Sequence, residues 1–454
     1  MPIVLPNRLP MHGVPAAGPF RPATRAAPAP LRVRITALGV LSFLCGSFAF
    51  WKINLVGEIY LGELGLIALG FFAAAAGGVR DTVRNRVFWW LLVASVLTLL
   101  GYMLSDYVRG TPEALYMRGW ARAILITTNF AALALLFAAD RRNLWWFIAG
   151  MAIGGIAYFR FVEGLPLRSM AAWKFMYSMP VTMLLAATAA LLPLRVVAIG
   201  FALLGVYSMF QDYRIHGAVC LLVAGLLWAS ATLNAMRVGA GTIVKVGLLG
   251  AIAFGGALYV LSLTQNEWTE ARRGSSNITR VIGVEFGLTA IARSPIIGYG
   301  SWASGPELIA IADAEIREHE ESTGQRLHGG YGRAFHSHSQ ILQGWLEGGV
   351  LGAAVFLVLG FFLLRESLHA ALQRPGDLLT PAILFLLIFQ FWHLIASPLG
   401  AHLRLHFALA MAIVVMLYAE RCARQRSAAA APTGPVRPIG PAGAAWVRPD
   451  GFRR

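Results

Sequence analysis

Apolar runs close to 20 residues long recur along this chain between Ile35 and Glu420. A run of about that length is what one α-helix needs to cross the hydrocarbon core of a bilayer. Composition points the same way: 57% of the residues are hydrophobic and 13% are charged, against roughly 25% charged in an average soluble domain. With a mean hydropathy of +0.63, a soluble globular protein is excluded. The fold class expected is all-α, a polytopic membrane helical bundle.

Apolar runs set against charged breaks predict about twelve spans, near 35–55, 57–78, 87–104, 120–139, 144–160, 178–193, 195–210, 216–236, 243–263, 344–364, 380–398 and 402–420. The pair around Leu191–Arg195 reads either as two spans or as one broken span. Five segments follow: a basic tail over 1–34, a first membrane bundle of about nine spans over 35–263, a large loop over 264–343, three last spans over 344–420, and a second basic tail over 421–454. The first tail carries eight Pro ahead of its apolar stretch, so it is expected to be a disordered tail leading into a retained span and not a cleaved export signal.

The net charge is +16, and the two tails supply +10 of it. They lack aromatic interleaving or a fold motif, so no nucleic acid is expected as a partner; basic flanks are what cytoplasmic ends of membrane proteins carry. With both tails inside, the inner segments hold 22 Lys and Arg and the outer turns hold 9, leaving aside the long loop. That asymmetry fits the positive-inside rule and puts 264–343 outside the cytoplasmic membrane. Cys45, Cys220 and Cys422 are too few for a disulfide framework.

The long loop holds 9 of the 22 acids and 4 of the 10 His. Asn277 to Arg293 reads as an amphipathic helix with Val281, Val284, Leu288 and Ile291 on one stripe, stopped by Ser294-Pro295. Ser304-Gly-Pro-Glu307 is a capping box for a second helix with Leu308, Ile309, Ala312 and Ile316 on one side. Such helices are placed to lie on the membrane as a lid over a cavity. No internal repeat, Walker motif, dinucleotide fingerprint or zinc-finger spacing is present, and no cofactor is expected.

The chemistry concentrates on the outward face. Arg293–Gly300 (RSPIIGYG) is followed by His336–Ala353 (HSHSQILQGWLEGGVLGA), where a His-bearing turn runs into the helix that re-enters the membrane. Ser337 is the expected N-cap, which puts His338 in the first helical turn, where the helix dipole disfavours imidazolium. A neutral His there suits a general base, or simply hydrogen-bonds a loop. Arg214 sits in the short outward turn QDYRIH and Arg280 on the loop helix. An outward Arg turn runs against the positive-inside bias, so Arg214 either meets an anionic ligand, pairs with Asp212, or touches lipid phosphate.

Further polar groups, His336 among them, are candidates for a substrate cavity. Arg160, Arg168 and Lys174 hold either an acceptor's anionic groups or lipid heads; His402 and His406, flanking Arg404, either line the cavity or cap the bundle; Glu347 is placed to orient a neighbouring Arg. His319, His328, His336 and His338 lack any spacing typical of a metal site, so none is expected.

The DYRIHG turn, the Arg-led helix ending in SPIIGYG, and HSHSQILQGWLEGGVLGA together resemble the O-antigen ligase superfamily, over roughly residues 205 to 365. That family comprises O-antigen ligases, related polysaccharide polymerases and some protein oligosaccharyltransferases. This chain has His338-Ser339 where the family often has His-Asn or His-Ser-Asn, and Tyr-Arg-Ile-His-Gly where it has Ser-Arg-Gly. The resemblance implies a metal-independent, inverting glycosyltransferase of the bacterial inner membrane, acting on the periplasmic side. It would move a glycan from undecaprenyl pyrophosphate to lipid A core, as an O-antigen ligase, or to a growing glycan, as a polymerase. It further implies that Arg214 and Arg280 hold the pyrophosphate and that His338 activates the acceptor hydroxyl. The alternative from another class is a transporter or flippase of a lipid-linked or anionic solute, with Arg214 as a pathway charge.

Overall fold

The computed structural model describes residues 34–54, 57–166, 169–236, 267–303, 305–323, 337–373 and 377–430. The predicted span at 243–263, nearly all of both tails, and the candidates Arg168 and His336 lie outside the described residues. In chain order the elements begin with α1 (Ala37–Ser47), β1 (Lys52–Asn54), β2 (Glu58–Tyr60), α2 (Leu61–Ala73), α3 (Val79–Val83), α4 (Arg86–Arg109) and α5 (Glu113–Ala139). Then come α6 (Arg142–Ala157), α7 (Met170–Ala172), α8 (Ser178–Ala187), α9 (Leu194–Phe210) and α10 (Arg214–Met236). The loop supplies α11 (Glu267–Arg293) and α12 (Pro306–Thr323), and the chain continues with α13 (Gln340–Gly352), α14 (Ala354–Gln373), α15 (Thr380–Ala396) and α16 (Arg404–Ala429).

This is a helical membrane protein. Six helices among the described residues are long and apolar enough to cross a bilayer: Leu61–Val83, Arg86–Arg109, Glu113–Ala139, Arg142–Val162, Arg214–Thr232 and Ala401–Ser427. The predicted count of twelve is not reached, for identifiable reasons. The stretch 35–55 yields only the 11 residues of α1 before a short antiparallel hairpin pairs Lys52 with Tyr60, so the bundle carries one small β element. α8 stops at Ala187 and turns, while α9 and α15 have 17 residues each. The predicted span at 344–364 bends by 112° between α13 and α14, the geometry of a broken or re-entrant span.

Local chemistry places the long helices. Asn85 caps α4, its Oδ1 accepting from the N–H groups of Val87 (2.9 Å) and Phe88 (3.4 Å). Gly110 ends α4 in the left-handed conformation (φ 61), and α5 starts after Pro112, so α4 and α5 form an antiparallel hairpin. The stretch Phe407–Leu417 of α16 is apolar on all sides and accordingly becomes the centre, with Phe407 to Val414 wholly buried.

Ion pairs mark both ends of the bundle, partly exposed at one end and buried at the other. At one end Arg141 pairs with Asp377 and lies 3.7 Å from Glu420. At the other, Arg404 forks onto Glu63, with Nε 3.1 Å from Oε1 and Nη2 2.8 Å from Oε2, and Nη2 also donates to the Glu58 carbonyl (2.6 Å). Glu63 reaches back to the Tyr60 N–H (3.0 Å) and accepts from Asn129. With its two oxygens so used, a carboxylate with no exposed surface is tolerable inside a membrane bundle.

The first loop helix ends at Arg293 as expected but begins at Glu267, well before Asn277, and both loop helices turn differently from the expected stripes. Val281, Val284 and Leu288 are exposed, and the packed face of α11 is Ile282, Phe286 and Ala290. These join Leu308, Ile311 and Ala312 of α12 with Tyr299 and Leu346 in a second small core. Both faces of α11 are apolar, so periodicity alone could not choose between them.

Candidate functional site

Two of the three sequence segments that carry the resemblance meet. The backbone of Pro295–Gly300 docks on α13: the N–H groups of Tyr299 and Gly300 donate to the carbonyls of Leu346 (2.7 Å) and Glu347 (3.1 Å), and Val350 N–H donates to Pro295 O (3.1 Å). Trp345 Nε1 donates to the same Pro295 carbonyl (2.8 Å). Gly349 sits at φ 64, ψ −159, a conformation essentially restricted to glycine, and a Cβ there would run into the Ile296 carbonyl. Gly349→Ala is therefore expected to destabilise the protein by about 1–3 kcal/mol or more, read as a fall in melting temperature; an unchanged melt would show that the junction is not needed for folding.

Arg109, at the end of α4, pins this loop. Its Nε donates to Gly298 O (3.0 Å), its Nη2 to Ser294 Oγ (2.9 Å), its Nη1 reaches Glu307 (3.2 Å), and its guanidinium lies 4.7 Å over the Tyr299 ring. Asp106 holds the next turn, accepting from Ser301 N–H (2.6 Å), Ser301 Oγ (2.7 Å) and Trp120 Nε1 (2.7 Å).

His338 is not in the first helical turn. Ser339 is the N-cap of α13, its Oγ accepting from Leu342 N–H at 3.3 Å, and Ser337 Oγ donates to the Ser339 carbonyl (3.1 Å). The cap thus falls two residues later than expected, and His338 sits ahead of it at φ 47, half-buried. The helix dipole no longer governs its ring. Positive φ is sparsely populated outside glycine but less costly for His, Asn and Asp. The non-glycine residues in this state among those described are Asp212, Trp302, Ala303 and His338. Such strain tends to collect at functional sites, and Asp212 stands two residues before Arg214, where α10 begins.

Arg214 opens α10, with its side chain 41% exposed and Nε 3.9 Å from Asp212 Oδ1; the pairing with Asp212 that the sequence left open is thus made, loosely. Arg280 is half-buried on α11. α13 packs against α11 and α15, and α15 against α10. Ser339 Oγ donates to Leu394 O at the end of α15 (3.0 Å), and His216, two residues past Arg214, sets its ring against Phe385 and Phe389 of α15. The elements bearing Arg214, Arg280 and His338 therefore share neighbours.

A separate cavity of about 430 Å³ opens between the hairpin, α5, the Trp302 turn and the start of α16. Its lining includes Arg118, Arg122, Arg404, Trp302, Asn54 and Glu58. Arg122 is 2% exposed and pairs with Glu347, whose other oxygen accepts from Gln343 Nε2 (2.9 Å). Glu347 does orient an arginine, then. Sequence reasoning counted Arg118 and Arg122 only as outward charges and did not single out Glu63 or Trp302. Their i,i+4 spacing on one face of a span was the available signal for the two arginines.

The other candidates separate. Arg404 is buried and lines this cavity. His402 is exposed, while His406 is 7% exposed, contacts the His402 carbonyl (3.1 Å) and turns towards Phe50. Arg160 is exposed, and half-buried Lys174 lies 5.5 Å from the Phe175 ring. Among the described residues no three His, Cys, Asp or Glu side chains converge as a metal site. No known protein-family model matches the chain, and no curated protein matches it.

Proposed function

We propose that the chain is an inverting glycosyltransferase of the bacterial inner membrane, acting at the periplasmic face, that moves a glycan from undecaprenyl pyrophosphate to an acceptor, as an O-antigen ligase does. The observation that supports this reading is the docking of SPIIGYG on the Glu347-Gly-Gly turn of α13, the bent helix that the strained His338 precedes; α13 also touches α11, which bears Arg280, and α15, against which the Arg214 helix packs. His338 takes the proton from the acceptor hydroxyl. The acceptor oxygen bonds the anomeric carbon from the face opposite the leaving group, and the bond from that carbon to the pyrophosphate oxygen breaks. Arg214 and Arg280 neutralise the departing lipid pyrophosphate; guanidinium forks match phosphate oxygens and keep their charge at any working pH. The acceptor is lipid A core in a ligase and a growing glycan in a polymerase.

Arg214→Ala and Arg280→Ala are expected to lower transfer by about tenfold or more each, since losing a hydrogen bond to a charged group costs roughly 1.5–3 kcal/mol. Lysine should rescue only in part because it cannot fork. The assay is purified protein in nanodiscs with the lipid-linked glycan and an acceptor, run with and without EDTA. Near-normal turnover of both alanine variants would remove the pyrophosphate assignment. A metal requirement would remove the arginine mechanism, and movement of the lipid-linked glycan across the membrane without a product would favour a transporter. Glycan joined to lipid A core identifies a ligase, and a lengthened lipid-linked chain identifies a polymerase.

Sidedness has its own test, from the 22 to 9 charge asymmetry. In a variant with the three native cysteines replaced, Ser322→Cys should react with an impermeant thiol reagent in spheroplasts and Ser427→Cys should not. The opposite pattern inverts the topology.

A further inference from the structure

Three guanidinium groups gather around one tyrosine at the Arg141 end of the bundle. Arg365 of α14 and Arg421 of α16 lie 5.5 and 5.1 Å from the Tyr418 ring. Both also reach the same oxygen of Glu366, at 3.3 and 3.0 Å. Arg86, the first residue of α4, is close enough to the Tyr418 hydroxyl to act on it electrostatically. Its neighbour Asn85 fixes that approach, because Asn85 Nδ2 donates to the Val415 carbonyl of α16 (2.8 Å). A second tie sets Arg86 and Arg365 level with each other. Val355 N–H of α14 donates to Thr98 Oγ1 of α4 (3.1 Å), and at about 1.5 Å of rise per residue both arginines stand roughly 15–18 Å beyond that bond, on helices that pack together.

The charges of this cluster do not balance. Glu366 is almost wholly buried and offsets one of the three positive charges, while Asp377 and Glu420, acids of the same end, face Arg141 instead. Arg86 is exposed, and the Arg365 side chain keeps 33% of its surface, so an anion can reach both from outside the bundle. The surface leading up to them is apolar. On α14, Leu357, Phe361 and Leu364 are exposed, at the spacing of one helix face that runs to Arg365. On α4, Trp89, Trp90 and Val93 are exposed within two turns of Arg86. In a membrane such side chains meet acyl chains, and tryptophans collect at the level of the headgroups. A soluble anion makes no use of this apolar approach, whereas a phospholipid does.

We infer that Arg86 and Arg365 bind the headgroup of an anionic phospholipid, with its phosphate between the two guanidiniums and its acyl chains along the apolar faces of α4 and α14. Guanidinium forks match phosphate oxygens, and basic pockets between membrane helices are suited to anionic headgroups. Arg421 backs the site through its contacts with Glu366 and Tyr418. A zwitterionic headgroup brings its own cation to the phosphate and gains less from the excess charge. The inference concerns a lipid contact and is independent of any transferase activity.

The test is native mass spectrometry of the full-length protein in detergent, measuring its binding of phosphatidylglycerol and of phosphatidylcholine with the same acyl chains. Arg86→Gln and Arg365→Gln are compared with the parent and with Arg195→Gln, which removes an exposed charge at the start of α9. A basic residue at the membrane surface is worth about fivefold in affinity for anionic lipid. Phosphatidylglycerol should therefore bind more tightly than phosphatidylcholine and weaken about fivefold in each site variant, with Arg195→Gln binding as the parent does. Melting temperatures show that the variants are folded; Arg86→Gln changes an exposed side chain and should melt with the parent. The inference is overturned if the two lipids bind alike, or if either site variant binds phosphatidylglycerol as the parent does. It is overturned equally if Arg195→Gln weakens binding as much, since the attraction would then be diffuse.

Discussion

Replacing His338 with alanine is expected to slow glycosyl transfer by about 10²–10⁴-fold, the usual contribution of a positioned general base, while the lipid-linked donor still binds. The expectation rests on the proposed role of the imidazole in taking the hydroxyl proton, since an un-ionised sugar hydroxyl is a weak nucleophile. Alanine also changes the backbone preference, because a left-handed residue with a Cβ costs roughly 1–2 kcal/mol and His338 stands at φ 47. His338→Asn separates the two effects: asparagine tolerates this conformation but cannot act as the base. Both variants should lose transfer, with His338→Asn melting near the parent. His336→Ala should be milder. The measurements are turnover in nanodiscs with undecaprenyl-pyrophosphate glycan and acceptor, and donor retention by native mass spectrometry. An active His338→Asn enzyme would reduce His338 to a residue that shapes the loop before α13.

Glu347→Ala is expected to destabilise the protein by about 3–5 kcal/mol, because it leaves the Arg122 guanidinium uncompensated in the bundle. Both side chains are almost wholly buried, at 3% and 1% exposure, so water cannot replace the lost carboxylate. Glu347→Gln keeps a partner for Gln343 and for one guanidinium N–H and should cost less. Removing both charges, as Arg122→Met with Glu347→Leu, should recover most of the loss, since a buried pair repays little beyond its own desolvation. Thermal and denaturant unfolding in one detergent reads all four proteins. A Glu347→Ala variant within about 0.5 kcal/mol of the parent, the range of an ordinary surface change, would show that Arg122 finds another partner.

Hydrophobicity and its period are properties of the chain itself, and they sufficed for the membrane class and for the long helices near 57–78, 87–104, 120–139, 144–160, 216–236 and 402–420. Other features depended on what stood opposite. The stripe Val281–Val284–Leu288 was as apolar as the face that packs, and only the approach of α12 and α13 selected Ile282, Phe286 and Ala290. The span predicted at 344–364 is apolar apart from Glu347, yet it bends by 112° because Gly349 takes a backbone state no other residue accepts readily and the Pro295–Gly300 loop fills the resulting notch. The N-cap moved from Ser337 to Ser339 for a tertiary reason also, since the Ser339 hydroxyl both caps α13 and donates to Leu394 on α15. Charges were legible one by one, but their partners were not. Arg122 lies 225 positions from Glu347, and Arg404 lies 341 from Glu63, distances at which no local rule operates. A charge inside a bundle is tolerable only where folding brings its counter-ion, and so the pairing was decided by the tertiary structure.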